Sequence, residues 1–390
     1  MTDKDIFFAG GCFWGTEKYF KLLKGVIRTE VGYANGHIAD PTYEQVYTDT
    51  TGYAECVHVR FDPDVISLGI LVRMFFKAID PTSVNRQGED IGTRYRTGVY
   101  YTDEEDLPIL KRVFEEQTRI HGGIAVELSP LQNFVRAEDY HQNYLEKNPD
   151  GYCHLRPELF ERKDIRVIAF DADDTLWDNQ SFYDRAEEVF IETLSAFGDA
   201  KSLSDRLFET ESGNMALLGY GAKAVCISMM ETALSLSNGS LTADRMARII
   251  AAAKSLLSIP ATPLEGVRET LAYLHKAGLW KMVLLTKGDM LDQQNKIARS
   301  GLGDFFDRVV IVSSKGEGEY RNLCREEHCE PRQLLMVGNS FKSDIKPAVA
   351  VGCKAAYIPF HTMWRHEKVE EFEHPDIVRL GTFAELPVIL

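Results

Sequence analysis

From Arg166 onward, short apolar runs recur with helical segments between them: RVIAF, KMVLL, RVVIV, QLLMV and AAYIPF. Runs of this kind, apolar along their whole length, suit strands buried on both faces. Their alternation with helices is the pattern of a parallel sheet covered on either side, which restricts this part of the chain to a Rossmann-like α/β fold. The first two runs stand about a hundred residues apart, far more than a crossover helix needs. The residues between them, about 182–277, have helical character, so an inserted helical cap is expected there.

The chain before that point follows a different rule. Strand-like runs (DIFFAGG, AECVHVRF, TGVYYT, GIAVEL) mix with helical stretches at EKYFKLL, ISLGILVRMFFKAI and EEDLPILKRVFEEQTRI, an α+β pattern. Two long connections, GYANGHIADPTYEQV and DPTSVNRQGEDIGTRY, are rich in Gly, Pro, Asn and Asp and are expected to be loops. Ordered loops of that length commonly carry function. The patterns meet near LRPELFERKDI, giving an expected domain at residues 1–157 and a second at 164–390. A chain of 390 residues is also too long for one ordinary core.

Composition excludes several classes. The net charge of −15 is spread over both halves, and no basic face for nucleic acid stands out. The longest apolar segments, such as MARIIAAAKSLLSI, are interrupted by Arg or Lys and do not suit a bilayer span. The opening MTDKDIFFAGG does not read as a secretory signal, so a cytoplasmic protein without membrane or nucleic-acid partners is expected. Seven cysteines, an odd number, do not suggest a secreted disulfide framework. A disulfide in this chain is expected to be transient and catalytic.

Cys12 falls where the strand IFFAGG gives way to the helical WGTEKYFKLL, behind Gly10 and Gly11. Free N–H groups at a helix start stabilise a thiolate, so a depressed pKa is expected there; a buried structural cysteine fits the position equally well. The string GCFWGTE decides between them, because it resembles the signature of the A-type peptide methionine sulfoxide reductases. The likeness continues through GVIRTEVGYANG, PTYEQV, TGYAECVHVRFDP, DPTSVNRQGEDIGTRYR, AEDYHQNYL and KNPDGYC.

That resemblance implies that the Cys12 thiolate attacks the sulfoxide sulfur of oxidised proteins, peptides or free methionine sulfoxide and becomes a sulfenic acid. It makes Glu55 the proton donor to the departing oxygen, its carboxyl kept neutral by burial. Tyr43 and Tyr95 would hydrogen-bond the sulfoxide oxygen, Asp90 would hold that network, and Phe13 and Trp14 would enclose the S-methyl group. Cys153 matches a resolving cysteine, whose disulfide with Cys12 would pass to thioredoxin; no cofactor is implied. Tyr140 and His141 would support the site from its border. A non-enzymatic redox sensor built on Cys12 and Cys153 is the competing reading, and the Phe13, Trp14 and Glu55 set speaks against it.

In the second part, RVIAFDADDTLW puts Asp171 and Asp173 at a strand end, where open α/β sheets bind ligands. The DxDxT pattern, followed in order by LLTKG, SSKGEGEY and VGNSFKSD, resembles the haloacid dehalogenase superfamily. The resemblance implies that Asp171 attacks phosphorus while Asp173 protonates the leaving oxygen and then activates water. Mg²⁺ would be held by Asp171, Asp344 and the Asp173 carbonyl, and Thr286 and Lys315 would contact the phosphate of a small phosphorylated metabolite. Asn339 stands where an acid is frequent, which leaves open a binding or regulatory module without catalysis. Cys324 and Cys329 flank His328 but lack a second pair to complete a zinc site.

Overall fold

The computed structural model describes residues 3–161 and 163–390, and the chain divides into two units, Met1–Lys163 and Asp164–Leu386 in the main. The first unit is built on six strands: β1 (Lys4–Gly10), β2 (Val26–Ala34), β3 (Ala54–Phe61), β4 (Thr97–Tyr101), β5 (Glu127–Pro130) and β6 (Phe134–Arg136). Their order across the sheet is β5-β4-β1-β3-β2-β6, with all pairs antiparallel except β4 with β5. β1 lies inside the sheet, and its Ile6–Gly10 run is buried on both faces. One face is covered by α1 (Phe13–Lys21), whose Phe20 stacks on Phe8 at 4.5 Å, and by α3 (Leu68–Ala78), whose Phe75 meets the same ring at 5.0 Å.

One expected loop contains a helix. In GYANGHIADPTYEQV, the GYA residues finish β2 and Tyr43–Tyr47 wind into a short helix, α2. The reason is a capping box: the Thr42 hydroxyl accepts from the Gln45 N–H while the Gln45 side chain accepts from the Thr42 N–H. The expected strand GIAVEL begins later, at Glu127, because α4 (Leu107–His121) ends on Gly122 and Gly123, which take φ values of 71° and 144°.

The second unit has a fully parallel sheet of β7 (Val167–Phe170), β8 (Lys281–Lys287), β9 (Arg308–Val312), β10 (Leu334–Gly338), β11 (Lys354–Tyr357) and β12 (Ile377–Arg379). The order is β9-β8-β7-β10-β11-β12, with β7 near the middle. This is the Rossmann-like α/β arrangement expected from the apolar runs. Between β7 and β8, four helices pack around one apolar cluster: α6 (Gln180–Leu194), α7 (Ala200–Leu218), α8 (Ala222–Ser237) and α9 (Ala243–Ser255). Phe190, Leu194, Leu207 and Met229 lie in that cluster, which closes at Ile259, before α10 (Val267–Ala277) leads into β8. No helix among the described residues is long and apolar enough to cross a membrane.

Candidate active sites

Cys12 is the N-cap of α1, and its side chain is 5 % exposed. The first helical N–H, that of Phe13, donates to Glu55 Oε2 at 3.1 Å, so a carboxyl from β3 is tied to the turn that carries the thiol. Burial raises Glu55 to about 8, despite the Phe13 N–H and the more distant Arg94. It therefore keeps its proton at neutral pH.

The thiol departs from expectation. Burial first, and then the Glu55 charge, push Cys12 well above the usual thiol range; the N–H groups of Trp14 and Gly15 oppose the shift without overcoming it. A helix start is a weak partial charge, felt within one turn, whereas the loss of water around a buried sulfur acts in full. In the resting charge state Cys12 is a thiol.

An aromatic shell surrounds this point. Phe13 is 1 % exposed and packs between Tyr33 and His141, and Trp14 stacks on Tyr144 at 3.8 Å while its indole N–H donates to His141 Nδ1 at 3.1 Å. Tyr43 meets His141 at a tilt, ring centres 4.6 Å apart, and its backbone N–H donates to Glu138, which also accepts from Tyr33 Oη. Tyr95 is buried under the Arg94 guanidinium, 4.3 Å from the ring centre. Burial and the Glu55 charge raise both Tyr43 and Tyr95, which remain proton donors. The two loops thus bring their tyrosines toward the same carboxyl.

Asp90, in a two-residue strand paired with Arg86–Gln87, accepts from Tyr152 Oη at 3.0 Å. Cys153 follows Tyr152, and its half-buried thiol packs against Gly15, where a Cβ would come within 2.9 Å of the sulfur. Cys12 and Cys153 are both unbonded thiols. Arg94 and Glu138, absent from the sequence reading, hold the tyrosine loops: Arg94 pairs with Asp49 at 2.6 Å and Glu138 clamps Tyr33 to Tyr43. In sequence they look like ordinary surface charges; the burial of Arg94 and the long-range partners of both mark them.

In the second unit Asp171 and Asp173 follow β7, as the DxDxT string places them at a strand end. Lys315 is buried and bridges Asp171 and Asp344, the latter at 2.8 Å. Thr175 donates to Asp171 at 3.2 Å, and the Ser340 N–H fixes Asp344 at 2.9 Å. Gly338 ends β10 beside that carboxylate, and a Cβ there would collide with Asp344. Asn339, with its amide nitrogen turned inward, reaches the Asp173 carbonyl and Asp171 Oδ2 at 3.2 Å each. Thr286, at the end of β8, lines the same pocket.

The two aspartates of the motif differ. Burial and the neighbouring Asp344 charge raise Asp171 to about 7, against the pull of Lys315. Burial would raise Asp173 as well, but Lys296 at 2.9 Å, Gln293 at 2.8 Å and the Trp177 indole at 2.8 Å hold it below the usual carboxylate range. Lys296 and Gln293 lie on α11 (Met290–Ser300) and were not singled out from sequence. The donor set of Asp171, Asp344 and the Asp173 carbonyl consists of hard oxygens, the chemistry that a small dication takes.

Comparison with known proteins assigns each unit separately. The peptide methionine sulfoxide reductase family matches residues 4–171, and the haloacid dehalogenase-like hydrolase family matches residues 165–352. The peptide methionine sulfoxide reductase MsrA of Clostridium acetobutylicum is 54% identical over 160 residues, 41% of this chain and 99% of that protein. The MsrA of Alkaliphilus metalliredigens is 52% identical over 157 residues, 40% of this chain and 99% of its own. The crystal structure of a haloacid dehalogenase-like family hydrolase from Xanthomonas campestris is 31% identical, covers 59% of this chain and 91% of that one, and superposes with a TM-score of 0.53.

Proposed function

The chain belongs to the peptide methionine sulfoxide reductases over its N-terminal part and to the haloacid dehalogenase-like hydrolases over its C-terminal part, and from this we propose a mechanism for each. In the reductase, Cys12 attacks the sulfoxide sulfur of oxidised proteins, peptides or free methionine sulfoxide. Glu55 gives its proton to the oxygen and takes up the one that the Cys12 thiol loses on attack, and the Tyr43 and Tyr95 hydroxyls hydrogen-bond to the oxygen as charge builds there. Phe13 and Trp14 seat the S-methyl group, and Asp90 steadies the surrounding loop. Methionine leaves, and Cys12 holds the oxygen as a sulfenic acid. Cys153 then attacks that sulfur, water departs, and thioredoxin reduces the Cys12–Cys153 disulfide.

The observation that carries this reading is the place of Glu55, a fully buried carboxyl that accepts from the N–H of the turn bearing Cys12 and that burial pushes up to about 8. The deciding experiment incubates the full chain with a methionine S-sulfoxide peptide and dithiothreitol, then repeats it with Cys12→Ser. Methionine formation by the wild type alone is expected; equal activity of both proteins removes Cys12 from the mechanism, and equal inactivity overturns the reductase reading.

For the hydrolase, Asp171 is the nucleophile toward a small phosphorylated metabolite, and Thr286 and Lys315 contact its phosphoryl group. Asp171, Asp344 and the Asp173 carbonyl would hold Mg²⁺, which when bound offsets phosphoryl charge. Asp173 is already ionised by Lys296, the state needed to take a proton from water; donating a proton to the leaving oxygen requires it to leave those donors. A phosphatase assay on a panel of phosphorylated metabolites with Mg²⁺, compared with Asp171→Asn, separates this from a binding or regulatory module. Hydrolysis lost in the variant supports catalysis, and no hydrolysis by the wild type supports the module. The odd count of cysteines suits a reducing, cytoplasmic setting.

A further inference from the structure

Beside the reductase nucleophile, Cys12 Sγ, an Asp90 carboxylate oxygen and a ring nitrogen of His154 lie within 4.8 Å of one another. Asp90 Oδ2 and His154 Nδ1 are both buried and have no hydrogen-bond partner among the described residues. A carboxylate oxygen and a bare imidazole nitrogen each carry a lone pair that a cation can take beside the sulfur.

The other end of each group is fixed by a neighbour. His154 Nε2 is 3.0 Å from the Gly10 carbonyl, which can only accept, so Nε2 carries the ring proton and Nδ1 is left as a donor of electrons. Asp90 Oδ1 accepts from Tyr152 Oη at 3.0 Å, which leaves Oδ2 free. The third group, Cys12, is held at the head of α1. Anchoring a side chain through one polar atom while leaving its other one unpaired is how metal ligands are oriented.

We propose that Cys12, Asp90 and His154 form a binding site for a divalent transition-metal cation of the Zn²⁺ class, and that binding masks the reductase thiol. One sulfur, one nitrogen and one oxygen are the mixed set that a borderline-soft ion takes, with three protein ligands and a fourth position open to water or substrate. On binding, the Cys12 S–H bond is replaced by a sulfur–metal bond and the proton goes to solvent; nothing is oxidised or reduced. Binding therefore tightens as pH rises. It also excludes attack on a sulfoxide, because the sulfur lone pair needed for attack is engaged with the metal. This last consequence rests on Cys12 being the nucleophile, whereas the binding itself does not.

Cobalt(II) is the probe, titrated into the full chain kept reduced with a phosphine. A near-ultraviolet thiolate-to-cobalt band saturating at one equivalent is expected, displaced by Zn²⁺ and by chelator. Cys12→Ser should abolish it, and Asp90→Asn and His154→Gln should each weaken affinity at least about tenfold. Zn²⁺ should also slow alkylation of Cys12 in the wild type, read on the Cys12 peptide by mass spectrometry, a measurement that needs no variant to fold. Cys329→Ser, at the separate thiols of the second unit, should change nothing. A band unaltered by Cys12→Ser, or unaltered by both Asp90→Asn and His154→Gln, overturns the site. So does a band lost with Cys329→Ser, or alkylation indifferent to Zn²⁺. If the spectral results hold but Zn²⁺ leaves sulfoxide reduction untouched, the metal site stands and the role of Cys12 as nucleophile falls.

Discussion

Glu55, fully buried, and Asp173, partly buried, each lie beside a proposed nucleophile, yet they hold opposite protonation states. Glu55 has one backbone N–H and no direct cation, because nearby Arg94 is already paired with Asp49 and stacked on Tyr95. Burial therefore wins and the proton stays, up to about pH 8. Asp173 meets an ammonium and two further N–H donors, and charge pairing wins over burial. The desolvation cost of a buried carboxylate runs to several kcal/mol, so one well-placed lysine is enough to reverse its state. Which chemistry an acid can do here follows from its nearest cation, more than from its depth.

The comparison breaks most completely at the nucleophiles. Asp171→Asn should abolish any phosphate-ester hydrolysis and leave sulfoxide reduction intact, while Cys12→Ser does the reverse; a large loss of reduction in Asp171→Asn would reveal coupling between the sites. Glu55→Gln keeps the shape and removes the transferable proton. It should lower kcat for methionine sulfoxide by about 10²–10⁴. The wild-type rate should fall as pH rises through about 8, where Glu55 loses its proton, and that limb should vanish in the variant.

The same residue has a stability signature. The folded state holds a proton on Glu55 that the unfolded chain releases near the ordinary glutamate value of 4.5, so between there and about 8 folding stability decreases as pH rises. Glu55→Gln should flatten that slope in denaturant titrations across pH 5–8; an unchanged slope would place the proton elsewhere. Lys296→Met leaves the partly buried Asp173 and its buried surroundings without their cation. Loss of about 3–5 kcal/mol of stability is expected from urea unfolding, and a loss under 1 kcal/mol would show that Gln293 and Trp177 suffice. The smallest effect concerns α2: Thr42→Ala removes one half of the capping box and should cost about 1 kcal/mol, with a modest rise in KM as the Tyr43 loop loosens.

Much was legible from residues alone. The apolar runs after Arg166 dictate the parallel sheet because burial on both faces leaves no room for polar alternation. GCFWGTE and DADDTLW mark Cys12 at a helix start and Asp171 at a strand end, as the structure has them. Tyr43 was misread as lying in a loop, since a one-turn helix capped by Thr42 and Gln45 has no periodicity to detect. Arg94, Glu138 and Lys296 could not be singled out, because a charged residue in sequence looks the same whether it meets water or a buried partner.

The sequence by itself determined the two families and the order of their motifs, which are local properties of short strings. Tertiary structure alone decided which acids are protonated, that Cys12 rests as a thiol, and that Asp90 and His154 converge on it from segments far along the chain. Those are consequences of burial and of charge acting through space, and neither is ordered by sequence position.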